Sequence, residues 1–453
     1  MIVDDHTAPF KKDTMPADKG ASFNRRSRQK CERDMKHTTP QVLIIGAGLA
    51  GLACARHLTN AGLACTILEE SDGIGGRVRT DRVEGFQLDR GFQVFLTGYP
   101  EARKALNYAT LNLIPFYPGA LIRYAGHFHV MSDLLRRPQD LLQTLVSPIG
   151  SLTDKLRMLR VRRDALRQRL CSEMSDPARP TREVLRDYQF SDAMITRFFN
   201  PFLSGVFLEA ELSTPCWIFE LVWAAFCRGA TAVPRDGMGA IAQQLASSLP
   251  PGTVRLNHAV QKIQESSVLL ESGERLTTHA LVIATDDVTA SRLQGKHVPG
   301  TSARGSMTLY FDAPVAPQRG PWLMLNGEGD GVVRTVCVLS EAAPSYAPPG
   351  RALISVTTTE QIEAYSDVPQ AVRLFLQSWF GSQVNGWRHL RTDHIHHALP
   401  PISVLPSGDP IASPRVAAGL YLCGDYRESG TLDGALLSGR KAAEAVLTDY
   451  DLS

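Results

Sequence analysis

The stretch from Val42 to Arg77, VLIIGAGLAGLACARHLTNAGLACTILEESDGIGGR, constrains the fold more than any other part of the chain. Val42 to Ile45 is short, apolar and β-branched, as a buried strand requires. Gly46, Gly48 and Gly51 follow in the G-x-G-x-x-G pattern, and Leu52 to Thr59 reads as a helix that Asn60-Ala61-Gly62 closes. Ala64 to Leu68 gives a second buried strand, ending at Glu69. Each glycine stands where a side chain would obstruct: the tight turn, the approach of a pyrophosphate to the backbone, and close helix–strand packing. Uncapped N–H groups and the dipole at the helix start favour that anion. Glu69 lies about 20 residues beyond the loop, where a carboxylate accepts from ribose hydroxyls. Strand, loop, helix, strand and acid in this order predict a dinucleotide-binding α/β unit; an ordinary glycine-rich turn does not explain the order.

Gly75, Gly76 and Arg77 follow after a short turn at Ser71-Asp72-Gly73. A second glycine pair suggests another backbone approach to phosphate, with a fixed cation beside it. At the far end stand GLYLCGD (Gly419–Asp425), GTLDGA (Gly430–Ala435) and SGRKAAE (Ser438–Glu444). On these motifs the chain resembles the superfamily of flavin amine oxidases, phytoene desaturases and protoporphyrinogen oxidases. The resemblance implies FAD rather than NAD. It also implies a Rossmann-type FAD-binding domain (α/β, a parallel sheet with a β-meander) and a discontinuous α+β substrate domain. The expected division is 40–98 with 234–296 and 401–453 for FAD, and 99–233 with 297–400 for substrate. In the family the C-terminal segment closes over the flavin. Gly424 and Asp425 are therefore expected beside the ribityl chain and pyrophosphate. Gly430, Thr431, Leu432 and Ala435 are expected at the helix start that faces the ring carbonyls. A helix N-terminus also suits the negative charge of a reduced flavin. Gly91, Phe92 and Gln93, in GFQLDRGFQVF (85–95), are further candidates, with two strands expected to meet at a glycine bend. Val260 is expected at the adenine, and Thr285 at the end of the strand that starts at Leu281. With Gly46, Gly48, Gly51, Glu69, Gly75, Gly76 and Arg77, these form the candidate cofactor set.

The remaining chain is less constrained. Its 453 residues suffice for two or three domains and a substantial core. A net charge of +2 and the absence of a basic module give no sign of a nucleic-acid partner. Eight cysteines without a C-x-x-C pair argue against a zinc site or a disulfide framework and fit a reducing, cytoplasmic setting. No apolar run approaches the roughly 18 residues of a membrane span. Residues 1–39, with mixed charges and few large apolar groups, read as a disordered leader without a signal-peptide core.

Between Tyr99 and Arg228 a largely helical segment is expected, with helices over Asp133–Leu145 and over Lys155–Leu170, the latter carrying seven Lys/Arg. That basic helix is open to two readings, a solvated face or peripheral docking on an anionic membrane surface. Met194, Phe198, Phe199, Pro201, Phe202 and Phe207 are either core or substrate cavity. Val254 to Ile263 alternates as one strand. Further strands are expected at Met307–Phe311, Val332–Leu339 and Ala352–Thr358, and a helix at Gln370–Phe380. His394 and His396 share a strand face, as metal ligands do. No cysteine or carboxylate pair of suitable spacing completes a site, so no metal is expected, and Asp393 is expected to pair with a histidine.

A flavin supplies the redox chemistry itself, so no side-chain nucleophile is required, and no catalytic residue is assigned. Many amine oxidases of the family carry a lysine in the strand before a YF-x-x-P segment and an aromatic residue ahead of the C-terminal Gly-Ala. The corresponding positions here are Ser306 and Thr431. Both departures favour desaturation of a C–C bond in a largely apolar small molecule, a hydride passing from a C–H bond to flavin N5. Oxidation of a C–N bond is the second reading, and a non-catalytic flavin-binding scaffold a third of another class. The electron acceptor, oxygen or a quinone or another protein, is not encoded in these motifs.

Overall fold

The computed structural model describes residues 42–171, 178–264, 267–296, 304–400 and 413–450; the expected leader at 1–39 lies outside them. Val42–Ile45 is buried on both faces and takes the middle of a six-stranded sheet. The order is 254–255, 65–68, 42–45, 280–283, 420–422, 415–417, parallel except for the last pair. Strands covered on both faces need continuous apolar runs, which explains VLII and ALVI. The helix Leu49–Asn60 lies on one face and packs on the C-terminal helix Leu432–Asp449. Gly439 makes that crossing close: a Cβ there would sit 2.1 Å from the Ala50 carbonyl oxygen. On the other face, Val260, Val268 and Leu270 of a three-stranded meander pack with Leu43, Ile45 and Leu281. The expected parallel sheet with a β-meander is thus present.

A seven-stranded sheet, mainly antiparallel, forms the second layer, in the order 388–399, 304–313, 352–358, 333–338, 323–326, 119–124, 127–132. Its last two strands correct the expectation of helices throughout 99–228. Gly119–Tyr124 and His127–Ser132 form a hairpin whose turn, Ala125-Gly126, has φ of 49° and 77°. Two successive positive φ values give the tight hairpin geometry, but Ala-Gly is a weak turn signal, so the hairpin was hidden in sequence. The strand expected over Val254–Ile263 is also corrected. Val254–Arg255 joins the parallel sheet and Val260 opens the meander. Between them Asn257 turns left-handed at φ 57°, which alternation of apolar residues does not register. The helix expected at Asp133–Leu145 is confined to Leu141–Val146, because Pro138 cannot donate to a preceding turn. The basic helix runs over Leu152–Leu166, started by a capping box of Ser151 and Asp154. The helix expected from Gln370 starts at Val368.

The cysteine reading is corrected as well. Cys171 and Cys216 are 45 residues apart in sequence, yet they form a disulfide with Cα atoms 6.1 Å apart. Fold, not spacing, brought them together. Cys54, Cys65, Cys227, Cys337 and Cys423 are unpaired and buried. No helix among the described residues is long and apolar enough to cross a membrane. Peptide mapping after alkylation without reductant is expected to recover Cys171 and Cys216 as one cross-linked pair; alkylation of both would contradict the pairing.

Candidate active site

One cavity of about 1830 Å³ runs from the glycine-rich loop to the helices around residue 200. Every residue of the candidate cofactor set lies on its wall except Gly51. A Cβ at Gly51 would sit 2.0 Å from the Gly46 carbonyl oxygen, so this glycine permits packing and does not reach the cavity. Gly48 is the opposite case, since a Cβ there would meet nothing within 4 Å. Gly46 (φ 103°) turns the chain against Ala284. The floor of this end is therefore bare backbone. The helix Leu49–Asn60 starts from it with no side-chain cap and no acid in its first turn, leaving N–H groups that call for an anion.

Glu69 is buried and partly occupied. One oxygen accepts from the Ala47 N–H at 2.7 Å, and the other from the Ser71 N–H and hydroxyl at 3.0 and 2.6 Å. With about four lone-pair sites on a carboxylate, capacity for one further donor remains. Arg77 pairs with Asp425 at 2.7 Å and donates to the Ala398 carbonyl at 2.8 Å. Asp425 beside it holds the guanidinium firmly protonated. The Gly91 N–H donates to Asp393, the Phe92 N–H to Thr308, and the Gln93 amide to the Arg77 and Arg90 carbonyls. Behind this wall Asp89 is buried, accepting from Thr80, Tyr346 and the Met238 N–H; burial pushes it up to about 6. Asp393 pairs with Arg391 at 2.8 Å, which corrects the expected histidine partner. His394 and His396 do share a face, with ring centroids 3.9 Å apart on the cavity wall. No group of potential metal ligands accompanies them among the described residues.

The C-terminal helix presents a second N-terminus to the cavity. Thr431 caps it, accepting from the Gly434 N–H at 3.1 Å, and Leu432 and Ala435 lie on the wall. Sequence reasoning passed over Asp433, although it stands inside the GTLDGA motif. Its carboxylate accepts from the Glu101 and Ala102 N–H groups at 2.9 and 2.8 Å, fastening this helix to Pro100–Ala105. Cys423 is fully buried off the wall, and burial pushes its thiol up to about 12.

The far end of the cavity is apolar. Phe198, Phe202, Trp223 and Phe226 form its wall, with Phe198 and Phe202 stacked at 5.7 Å and 5°. The π-helical turn Ile195–Phe199 sets this spacing. Met194, Phe199 and Phe207 are core instead. The Trp223 N–H is buried without a hydrogen-bond partner. Ser306 lies on the wall opposite Ile395. The wall's lysine, Lys155, donates to the Leu145 and Ser147 carbonyls at 2.9 and 2.8 Å. Asp133, the wall carboxylate toward this end, is held by Arg162 at 2.6 Å and Arg136 at 3.4 Å.

Asp433 gives the site a pH signature. Burial outweighs its two N–H donors and pushes the carboxyl up to about 6. A raised carboxyl contributes stability that is complete below its unfolded pKa, about 4, and is lost as pH rises through the folded value. Asp433→Asn keeps an acceptor for both N–H groups. Relative to wild type, its unfolding free energy is expected to rise by about 1–3 kcal/mol between acid and neutral pH. Thermal melts at both pH values check this, and a difference independent of pH would contradict it.

Comparison with known proteins agrees with this geometry. Residues 49–447 match the family described as flavin containing amine oxidoreductase. Polyamine oxidase 4 of Oryza sativa subsp. japonica is 48% identical over 52 residues, covering 12% of this chain and 11% of that protein. Coproporphyrinogen III oxidase of Mycobacterium tuberculosis is 27% identical over 220 residues, 46% of this chain and 45% of that protein. The chain thus aligns with less than half the length of either relative. A candidate protoporphyrinogen oxidase from Exiguobacterium sp. 255-15 has the same fold: TM-score 0.68 at 18% identity, covering 91% of this chain and 99% of that one. With a cavity floored by two glycine-rich turns and flanked by two helix N-termini, the chain belongs to the flavin-containing amine oxidoreductases.

Proposed function

We propose that the protein dehydrogenates a largely apolar small molecule at the aromatic end of the cavity, with FAD held along the glycine floor. The observation that carries this reading is the wall of Phe198, Phe202, Trp223 and Phe226, with Asp133 already paired to two arginines. A cationic amine calls for an unpaired carboxylate to meet its charge. Here the neighbouring charges are mutually satisfied and predominantly basic, and Ser306 and Thr431 replace the lysine and aromatic residue of many amine oxidases.

When bound, FAD supplies the hydride acceptor. The chain's own residues bind, orient and exclude water. Gly46, Gly48, Gly75 and Gly76 would leave room for the pyrophosphate against the uncapped helix start, and Glu69 would accept from a ribose hydroxyl with its remaining lone pairs. Val260 would pack on the adenine. Thr285, Gly424 and Asp425 would follow the ribityl chain, with Arg77 as partner to Asp425. Gly91, Phe92, Gln93, Gly430, Thr431, Leu432 and Ala435 would surround the ring. Sheet membership supports the proposed division: all strands of the parallel sheet fall in 40–98, 234–296 and 401–453, and all of the seven-stranded sheet in 99–233 and 297–400.

Gly48→Val is expected to fold with nearly unchanged thermal stability but to retain at least about tenfold less flavin, because its side chain enters empty cavity rather than packed core. Full flavin content in this variant would contradict the placement. Anaerobic bleaching of the flavin band tests the reaction itself. Isoprenoids or partly reduced heterocycles are expected to bleach it faster than amines do. Rapid bleaching by amines alone would overturn the assignment.

A further inference from the structure

Among the described residues thirteen large hydrophobic side chains are exposed, and nine of them lie between Leu135 and Leu166. Leucine at helical spacing is ordinarily the inward stripe of a helix. The helix Leu152–Leu166 buries Val161 and Ala165 on its inner face but leaves several of its leucines outside. Leu152, Leu156 and Leu159 are 61, 67 and 48% exposed, while Asp154, Lys155 and Asp164 of the same helix are buried. With Val161 and Ala165, those buried charges fix which face points inward. Asp154 accepts from Ser151 and Ser191, Lys155 donates to two carbonyls, and Asp164 accepts from Tyr188. The adjoining helix Leu141–Val146 adds Leu142 and Val146, 75 and 80% exposed.

Leu135, Leu141, Leu145, Leu152, Leu156 and Leu159 belong both to this exposed patch and to the cavity wall. The patch is thus the rim of the cavity. Its charge is distinctive too: residues 133–170 carry nine Lys/Arg against four Asp, in a chain whose whole net charge is +2. Arg160 and Arg163 are 65 and 56% exposed beside the leucines. Apolar side chains ringed by arginine form the pattern of a surface that dips into a bilayer and meets anionic headgroups.

We propose that the rim formed by residues 135–166 docks the protein on an anionic lipid surface, so that the cavity opens onto the membrane. A protein partner seated there would cover leucines that also line the cavity. A bilayer covers them with the medium in which an apolar substrate dissolves, and in that respect the proposal rests on the apolar-substrate reading.

The test is flotation of the full-length holoprotein with vesicles of phosphatidylcholine alone or mixed with phosphatidylglycerol. Binding to the mixed vesicles is expected to exceed binding to the neutral ones by at least about tenfold and to weaken in high salt. The double variant Leu142→Ser with Val146→Ser, whose side chains are exposed and off the cavity wall, is expected to lose most of that binding with its flavin spectrum unchanged. No flotation with the mixed vesicles, or undiminished flotation of the double variant, would overturn the proposal. A wild-type dimer that the double variant converts to monomer would assign the rim to a second copy and likewise overturn it. Bleaching by soluble substrates is measured without vesicles, so failure of the substrate reading and failure of docking are told apart.

Discussion

The ion pair between Arg77 and Asp425 is the interaction on which the site depends. It joins residues 348 positions apart in the chain, at 2.7 Å. Arg77 follows the second glycine turn, and Asp425 precedes the helix whose N-terminus faces the cavity. The same guanidinium binds the Ala398 carbonyl, at the end of an edge strand of the seven-stranded sheet. Three separate segments are thus registered by one side chain. A paired and hydrogen-bonded charge is tolerated in such a place, whereas the buried Asp425 alone would be left as an uncompensated charge. The pair therefore acts as a check on assembly: the cavity wall is complete only when both ends of the chain are in place.

Around that pair the wall is built mainly from backbone. Glycine turns at 46–48 and 75–76 keep side chains out of one end, and two helix N-termini supply positive potential without mobile cations. The opposite end is built from rings set on a π-helical turn and on Cys216–Arg228. A polar floor and an aromatic end in one continuous cavity suit a charged cofactor and an apolar reactant. Each end draws on a different kind of element. Turns at the ends of parallel strands form the polar end, the place where open α/β sheets bind ligands, and packed helices shape the apolar wall.

Legibility in the sequence follows the same division. Glycines that bare the backbone leave a local signature, so residues that line one end of the cavity could be picked out from Gly46 to Arg77 and from Gly424 to Ala435. Even Gly51, which does not reach the cavity, was readable as a packing glycine. Features that depend on distant partners were not. The hairpin 119–132 turns on Ala125-Gly126 and takes its place in a sheet whose other strands all lie beyond residue 300. The Cys171–Cys216 bond arises from folding around it. Asp433 stood inside a recognised motif, but its bonds go to backbone more than 300 residues away, and only the fold reveals them. The leucines of 135–166 read as ordinary helix until burial showed which way they face.

The most direct test of this account is a double-mutant cycle on the ion pair, using Arg77→Met and Asp425→Asn and reading both thermal stability and flavin retained per chain. If the pair registers the segments as described, each single variant loses flavin and stability, and the double variant loses markedly less than the sum, with a coupling of about 1.5–3 kcal/mol. Losses that simply add would contradict it and would leave Arg77 and Asp425 as independent neighbours of the cavity.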